Sequence, residues 1–470
     1  MEGLAGPLAG VVVDATKKQR LVANGELVEA LQGGTHDDIA LDEVAGAAHR
    51  GDGGAVSQAS SLVTHVIERA QGQIEEGLLF GDFSLVAHIH LSSATIKWGL
   101  TSLGDAARTI DRGVGSPRLE STRGSAVGES AFLRACRGDV VDHVPVWFMR
   151  QAGRSLPEYR ALRGSGSILE AIADPALASE ITLQPVRRYG VDAAVLFSDI
   201  VVPYHAIGFG VDVEVGRGPV IAEPFRSRED LVRLRDLEAA DIAHVTATIE
   251  LAVAELAATN TPLIGFAGAP FTVASYLVEG GPTRVFGVIK TLMHADEQLF
   301  DALLDRLVEI TVAFLRAQVA HGARALQLFD SWAGALTRDE YQRFALDATR
   351  RVLAGVADLE VPTILFGVGT GELLDLMASA GSTVMGIDWH VDLDEGRRRV
   401  DRPVQGNLDP ARCLGGEVDA LRATRDVLAR AGTDAGHIFN LGHGVLPQTK
   451  PEILEAVVRV VHDEGRAGVR

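Results

Sequence analysis

Residues 145–159 read Pro145-Val-Trp-Phe-Met-Arg-Gln-Ala-Gly-Arg-Ser-Leu-Pro-Glu-Tyr159, a short apolar run that leads directly into two arginines. The apolar part, Val144 to Phe148, has the length and composition of a buried strand. Guanidinium groups stay charged at any working pH and bind carboxylates or phosphates through paired hydrogen bonds. The stretch therefore predicts a pocket for an anionic ligand, lined by Arg150, Gln151 and Arg154. Two surface arginines in a loop would be the alternative.

The rest of the chain from about Glu129 alternates short apolar runs with segments whose apolar residues recur every three or four positions. Strands alternating with helices at this spacing predict parallel βα units, and eight units predict an α/β fold, a distorted (β/α)8 or TIM barrel. A doubly wound open sheet is the alternative. The eight predicted strands are Pro145–Met149, Ala193–Phe197, Pro262–Phe266, Ala325–Phe329, Pro362–Phe366, Thr383–Ile387, Pro403–Gln405 and His437–Asn440.

The predicted helices between these runs include Ile168–Tyr189, Ile242–Thr259, Glu297–His321, Arg338–Leu353, Leu373–Ala380, Val418–Ala431 and Pro451–Val461. A long excursion from Ile200 to Arg235 carries a glycine-rich, hairpin-like piece, Gly208 to Pro219. These assignments make 126–470 the barrel domain.

Residues 1–125 lack this alternation and are predicted to be an N-terminal extension of uncertain structure. No methionine occurs between Met1 and Met149, so the true start could be a codon now read as valine, such as Val127. A genuine accessory extension is the other interpretation.

Composition narrows the class of protein. The formal net charge of −19 argues against nucleic acid or an anionic membrane surface as the main partner, and it requires any anion pocket to be a local positive patch. Cys136 and Cys413 are too few for a disulfide framework or a thiolate metal site. Neither a signal peptide nor a membrane-spanning segment is recognisable, so a cytoplasmic protein is expected.

Polar or glycine residues follow each apolar run, and in a barrel the carboxyl ends of all strands meet on one face. Asp199 follows the second run after Phe197, and its alternative role is a helix N-cap. Tyr276 and Ser331 follow the third and fourth runs, and His443, which could equally be a turn histidine, follows the eighth. Signatures of a nucleophile elbow, phosphate loop, zinc helix or dinucleotide site are missing. This set suits decarboxylation or proton transfer on an anionic substrate that supplies its own electron sink.

Several motifs, in order, resemble the uroporphyrinogen decarboxylase family from about Phe132 to the C-terminus. They are Pro145 to Arg154 with Leu156-Pro-Glu158, Leu183-Gln-Pro185, Phe197-Ser-Asp-Ile200, Gly268-Ala-Pro-Phe-Thr272, Gln327-Leu-Phe-Asp-Ser331 and Phe439-Asn-Leu-Gly-His-Gly444 with Leu446-Pro447. The resemblance covers about three quarters of the chain and does not reach residues 1–125.

This resemblance implies a distorted (β/α)8 barrel that works as a cytoplasmic homodimer without metal or cofactor. It implies decarboxylation of the four acetate side chains of uroporphyrinogen III in haem and porphyrin biosynthesis. Arg150 and Arg154 would bind substrate carboxylates, with Gln151 and Phe197 beside them, and Asp199 would accept the pyrrole N–H groups. Tyr276, Ser331 and His443 match the remaining substrate-contacting positions. By the same resemblance Asp199, Arg150 and Tyr276 are the catalytic group, with Arg150 as proton donor although guanidinium is a very weak acid.

Two residues depart from the family pattern: Ser155 stands where tyrosine is usual and could widen or hydrate the mouth, and His390 stands where threonine is common. A zinc-dependent corrinoid or thiol methyltransferase of the same superfamily is one alternative, but it would need a His-x-Cys pair that this sequence lacks. A non-catalytic tetrapyrrole-binding barrel is the other.

Overall fold

The computed structural model describes residues 129–164, 166–214 and 216–465. The predicted N-terminal extension, residues 1–125, and the question of an alternative start lie outside these described residues.

Seven parallel strands form one curled sheet in which each strand pairs with the next along the chain, apart from an inserted hairpin. They alternate with helices, as the βα pattern predicts. The strands of the sheet are β1 (Ala194–Val195), β4 (Leu263–Gly268), β5 (Ala325–Asp330), β6 (Thr363–Gly367), β7 (Val384–Gly386), β8 (Val404–Gln405) and β9 (His437–Ile438), and the hairpin strands are β2 (Val211–Glu214) and β3 (Gly218–Ile221).

The opening apolar run closes this sheet into a ring. Val146 forms a parallel bridge with Phe439, just past β9. Phe439 N donates to Pro145 O at 2.8 Å, and on the other side Asp192 N donates to Val146 O at 2.8 Å. The run thus lies between the last strand and the segment leading into β1, where it completes the barrel wall. This run and the seven strands are the eight staves of the barrel, numbered in chain order. The (β/α)8 barrel prediction is confirmed, and the open doubly wound sheet is wrong because both edges of the sheet are paired.

The helices in the described part follow the predicted segments closely. They are α1 (Ala131–Cys136), α2 (Pro157–Arg163), α3 (Ile168–Ala173), α4 (Pro175–Tyr189), α5 (Val202–Ala206), α6 (Ala243–Leu256), α7 (Pro270–Glu279), α8 (Gly287–Ala295), α9 (Glu297–Ala320), α10 (Arg338–Glu340), α11 (Leu346–Ala354), α12 (Leu374–Ala378), α13 (Leu393–Val400), α14 (Glu417–Ala431) and α15 (Pro451–Glu464). A π-helical turn, Tyr341–Ala345, joins α10 to α11 into one continuous helical segment.

One predicted helix is interrupted in the structure. Ile168–Tyr189 is two helices, because Asp174 adopts an extended conformation with φ −98° and ψ 104°. Pro175 disfavours helical backbone at the residue before it, and it occupies the first position of α4. The Asp174 carboxylate caps α4 by accepting from Ala176 N and Leu177 N. A proline within an apolar-periodic segment therefore restarts the helix here.

The excursion between β1 and α6 contains the predicted hairpin, with Val211 paired to Ile221 in antiparallel register. Two backbone hydrogen bonds attach the hairpin and the chain just after it to α7 and its C-cap residue: Ile221 N donates to Gly280 O at 3.0 Å and Phe225 N donates to Leu277 O at 2.8 Å. The hairpin is therefore fixed to the helix that carries Tyr276.

A buried polar chain crosses the barrel interior and fixes three staves against one another. Trp147 Nε1 donates to Gln405 Oε1 at 2.9 Å, and Gln405 Nε2 donates to Gln327 Oε1 at 3.0 Å. Outside the ring, the Gln318 side chain of α9 bonds both the N and the O of Phe266 in β4. Because buried polar groups are costly when unpaired, these bonds set the register of the strands whose ends carry the site.

Candidate active site

Arg150 ends the opening run in a left-handed backbone conformation, with φ at 58°. Its loop is fixed on both sides: Met149 N donates to Asn440 Oδ1 at 3.0 Å and Val445 N donates to Met149 O at 2.8 Å. Non-glycine residues rarely adopt positive φ unless neighbouring structure imposes it. The Arg150 side chain is exposed and passes over Gly444, where any Cβ would lie 2.7 Å from Arg150 Cγ.

Gln151 is fully buried and both ends of its amide bind backbone. Phe148 N donates to Gln151 Oε1 at 3.0 Å, and Gln151 Nε2 donates to Ala193 O at 3.1 Å. The side chain therefore joins the first stave to the second and shapes the turn that presents Arg150. Its predicted contact with substrate stays a prediction, and its observed contacts are structural.

Arg154 and Phe197 stand on the two loops that follow the first two staves. Arg154 is exposed, and its carbonyl oxygen accepts from Arg160 Nη1 at 2.6 Å. Phe197 is 6% exposed and packs edge-on against Tyr159, with ring centroids 5.8 Å apart. Ser155, the departure from the family pattern, is buried rather than at the surface.

Asp199 is half-buried just after β1. Its Oδ1 accepts from Val201 N at 3.0 Å in the turn before α5, although Val201, not Asp199, is the N-cap residue of that helix. Burial raises the pKa of this carboxyl group, while the Val201 amide and the nearby Arg150 guanidinium oppose the rise. Arg150 and Asp199 therefore act on each other electrostatically.

Tyr276 belongs to the same group. It is half-buried on α7 and packs edge-on against Trp332, with ring centroids 5.7 Å apart. Burial and the charge of Asp199 raise the pKa of the phenol to about 12, against a smaller opposing effect of Arg150. Tyr276 is therefore a neutral hydroxyl donor at working pH.

His443 completes the cluster from the eighth stave. Gly444 N donates to His443 Nδ1 at 2.6 Å, which leaves Nε2 to carry the proton of a neutral ring. Burial, and then the charge of Arg150, lower the pKa of His443 to about 3. The ring lies edge-on to Phe366 and Trp389, at centroid distances of 6.3 and 6.2 Å. His443 lies in the loop after β9 and is a neutral N–H donor within electrostatic reach of Arg150.

The fourth stave contributes Ser331, which is half-buried, together with a carboxyl group that sequence reasoning did not select. Asp330 is fully buried at the end of β5, and Thr272 Oγ1 donates to its Oδ1 at 2.7 Å. The same hydroxyl accepts from Trp332 N at 3.1 Å. Burial, opposed by the Thr272 bonds, raises the pKa of Asp330 to about 6. Its position directly after a buried apolar run was the available signal.

A second carboxylate supports the loop next to His443. Asp388, only 2% exposed after β7, accepts from Gly369 N at 2.6 Å and from His390 Nδ1 at 2.6 Å. The Trp389 backbone lies against Gly442, where a Cβ would come within 2.9 Å of Trp389 Cα. His390, the second departure from the family pattern, is thus oriented by a buried carboxylate in the loop that packs against Gly442, the neighbour of His443.

Taken together, the arrangement places one guanidinium, Arg150, within electrostatic reach of Asp199, Tyr276 and His443, which come from three other staves. At neutral pH the tyrosine and histidine are uncharged donors, so the arginine and the half-buried carboxylate supply the local charge. Such a site binds carboxylates on its cationic side and stabilises a developing cation near the carboxylate.

Within the described residues, His143, Asp192 and His462 form a group of three possible metal ligands, which lies away from the carboxyl ends of the strands. Both cysteines are buried and unpaired, and burial raises the pKa of each thiol. In the described part of the chain, no helix combines the length and the apolar character needed to cross a membrane.

Comparison with known proteins identifies the family of this chain. The family model described as uroporphyrinogen decarboxylase (URO-D) matches residues 128–464. A uroporphyrinogen decarboxylase of Streptomyces coelicolor is 57% identical over 342 residues, covering 72% of this chain and 96% of the relative. That of Thermobifida fusca is 53% identical over 366 residues, covering 77% and 99%.

Among solved structures, a methyltransferase from Methanosarcina mazei shares the fold at a TM-score of 0.61 and 20% identity, covering 71% of this chain and 98% of that one. At that identity the likeness concerns the fold alone. The extent of the family match and the identity to full-length relatives show that the chain belongs to the uroporphyrinogen decarboxylase family.

Proposed function

We propose that this protein removes carbon dioxide from the four acetate side chains of uroporphyrinogen III and yields coproporphyrinogen III, without metal or cofactor in the reaction. The observation that carries the proposal is the half-buried Asp199 within reach of the Arg150 charge, in a chain that belongs to this family. The substrate bears eight carboxylates around a reduced macrocycle, which explains the need for exposed arginines in a protein of net charge −19.

The reaction uses the pyrrole ring as its electron sink. A proton adds to the ring carbon next to the acetate-bearing position, which makes the ring cationic. The bond between the acetate methylene and its carboxylate then breaks, its electron pair neutralises the ring, and CO2 leaves. Protonation of the resulting exocyclic methylene gives a methyl group, and loss of the first proton from the ring carbon restores the pyrrole. Each acetate thus consumes one proton overall and releases one CO2.

Asp199 is proposed to lie under the macrocycle, accept its pyrrole N–H groups and stabilise the cationic ring. A preorganised charge in a water-poor site is typically worth about 10²–10³ in rate. Its raised pKa is compatible with this role, because burial disfavours the ionised carboxylate until a cation or N–H donors approach it.

Arg150 and Arg154 are proposed to hold acetate and propionate carboxylates at the mouth. Tyr276, Ser331 and His443 would donate hydrogen bonds as neutral groups, and the buried Phe197 ring would form an apolar side of the pocket. By the same family relationship we propose a cytoplasmic homodimer, and light scattering after size-exclusion chromatography would test the dimer.

The test is anaerobic incubation with enzymatically made uroporphyrinogen III, followed by oxidation and separation of the porphyrins by carboxylate count. Wild-type protein is expected to give seven-, six-, five- and four-carboxylate products. Asp199→Asn should lose about 10²–10³ in rate, whereas Asp212→Asn, an exposed aspartate on the hairpin, should keep full activity.

Unchanged substrate with folded wild-type protein would overturn the proposal. Equal activity of a shortened chain starting at Val127 would leave residues 1–125 without a catalytic role.

A further inference from the structure

At the opposite end of the barrel, two histidines share one carboxylate. His143 Nε2 lies 2.8 Å from Asp192 Oδ1, and His462 Nε2 lies 2.8 Å from Asp192 Oδ2. The two imidazole rings are 4.7 Å apart between centroids, with an angle of 72° between their planes. Asp192 Oδ2 also accepts from Val146 N at 2.7 Å.

We propose that His143, Asp192 and His462 form a binding site for a divalent transition-metal ion, zinc in the first instance. One ligand atom from each residue lies within 4.8 Å of the other two. Two imidazole nitrogens and one carboxylate are a donor set that suits Zn²⁺ and its first-row neighbours. A hard cation that prefers oxygen, such as Mg²⁺, would not choose it.

An ion requires the three ligand atoms, now within 4.8 Å of one another, to adopt the spacing of its coordination shell. Tetrahedral zinc with bonds of about 2.0–2.1 Å separates its ligand atoms by about 3.3 Å. The 2.8 Å contact to the oxygen that binds the ion would therefore lengthen by roughly half an ångström, and the second imidazole would turn from the other carboxylate oxygen towards the ion. Each imidazole can present Nε2 as a bare nitrogen by carrying its proton on Nδ1. The three side chains are 33%, 15% and 30% exposed, so they are ordered by their surroundings yet reachable from solvent.

Space for further ligands and an entry route lies beside the cluster. A cavity of about 320 Å³ is bordered by His143 and Asp192 and by the hydroxyl-bearing residues Thr259 and Thr261. Water molecules in that cavity could complete the coordination of an ion held by three protein ligands.

The position of the cluster points to a structural role. His143 precedes the first stave, Asp192 precedes β1 and His462 lies near the end of α15. All three therefore lie at the amino ends of the strands. In a barrel, residues at this face contribute to stability, whereas the catalytic residues lie at the opposite face. An ion there would join the beginning of the barrel to its end, and its binding energy would add to the stability of the folded chain.

The experiment is calorimetric titration of chelator-treated full-length protein with ZnCl2, repeated with Co²⁺ to record visible absorption. We expect one ion per chain, a tetrahedral or five-coordinate Co²⁺ spectrum and a rise in melting temperature. His462→Gln and His143→Gln should each weaken binding by at least about tenfold, since losing even an outer-shell partner costs that much. His294→Gln, which changes a surface histidine paired with a single carboxylate, should bind zinc like wild type.

Absence of stoichiometric binding, or equal binding in His462→Gln and His143→Gln, would overturn the proposal. Should either variant fail to fold, anomalous scattering from zinc-soaked crystals decides the matter, since a peak located elsewhere also overturns it. Decarboxylase activity is expected to be unchanged by zinc, because the cluster is not on the catalytic face, so the two proposals stand or fall separately.

Discussion

Gly444 lies directly under the Arg150 side chain, so that a Cβ at position 444 would come within 2.7 Å of Arg150 Cγ and 3.1 Å of its Cβ. Because Gly444 has no side chain, the Arg150 guanidinium can lie over the site. The same loop supplies His443, whose Nδ1 accepts from Gly444 N. One glycine therefore positions two of the proposed substrate-binding groups.

Gly444→Ala should displace Arg150 without unfolding the barrel. The added methyl group meets a flexible side chain rather than backbone, so Arg150 swings away and the fold survives. A misplacement of about 1 Å can cost about 10²-fold, and we expect kcat/KM to fall by about 10–100-fold. Steady-state kinetics with uroporphyrinogen III, alongside circular dichroism, measures both effects.

Gly287→Ala is the matched control, because Gly287 starts α8 with its nearest contact at 4.0 Å and has room for a methyl group. Equal activity of the two variants would contradict the role assigned to Gly444.

The second prediction concerns pH and the pair Arg150–Asp199. Burial raises the pKa of Asp199 above its ordinary value of 3.8, and the Arg150 charge opposes that rise. If the ionised carboxylate stabilises the cationic ring, activity falls as the pH decreases through this pKa. Removing the guanidinium should raise the pKa further, and the acid limb of kcat/KM should move to higher pH in Arg150→Gln.

Arg154→Gln serves as its control, since Arg150 is the guanidinium that opposes the rise in the pKa of Asp199. It should weaken substrate binding while leaving the acid limb in place. The residual activity of each variant is enough to measure how kcat/KM depends on pH, since only the shapes of the pH profiles are compared. An unmoved acid limb in Arg150→Gln would refute the electrostatic coupling.

The sequence predicts the fold of this protein better than it predicts its contacts. Eight apolar runs predict the eight staves, because parallel strands buried on both faces need continuous apolar residues. This pattern can be read from a few consecutive residues of the sequence. Their polar ends coincide at one face, which is why Arg150, Asp199, Tyr276 and His443 could be grouped beforehand. The single helix expected at Ile168–Tyr189 is two, because Pro175 acts on the conformation of its neighbour.

What could not be predicted depends on side chains far apart in the chain. The neighbouring sequence does not indicate that the Gln151 amide hydrogen-bonds to backbone groups of two staves. It also does not indicate that Gly444 leaves room for the Arg150 side chain. The His143–Asp192–His462 cluster was also not predicted, because its members are far apart in the sequence and meet only when the barrel closes.

Asp330 carries the third prediction. Burial raises its pKa to about 6 from an ordinary value of 3.8, so the folded state favours the protonated acid. The associated stability is fully present below about pH 4 and is lost as the pH rises through about 6, at a cost of about 3 kcal/mol. Asp330→Asn should remove this pH dependence and raise the free energy of unfolding at pH 8.

Urea unfolding at several pH values from 4 to 8 tests the Asp330 prediction, with Asp212→Asn as the exposed control. The amide oxygen can still accept from Thr272 Oγ1, so the turn to Trp332 is preserved. A variant less stable than wild type at pH 8 would contradict the argument.

Glu340 gives the opposite dependence on pH. Its Oε2 lies 2.9 Å from Lys290 Nζ and accepts from Thr337 N at 2.8 Å, and its Oε1 lies 3.2 Å from His294 Nε2. Burial alone would raise the pKa, but Lys290, the Thr337 amide and His294 together lower it to about 2. A lowered carboxyl pKa stabilises the fold above the unfolded value of 4.5, and that contribution is lost as the pH falls towards 2.

Glu340→Gln should therefore lower the free energy of unfolding at pH 7 by about 1–3 kcal/mol, a range that allows for partial solvent screening. The difference from wild type should shrink steadily below about pH 4.5, because protonation makes the wild-type side chain neutral as well. Glu297→Gln is the matched control: its partner Arg343 is half exposed, and such pairs contribute little. Denaturant curves of the three proteins at pH 7, 5 and 4 separate the effects. A loss in Glu340→Gln that stayed constant between pH 7 and pH 4 would indicate a packing defect rather than the lost ionic cluster.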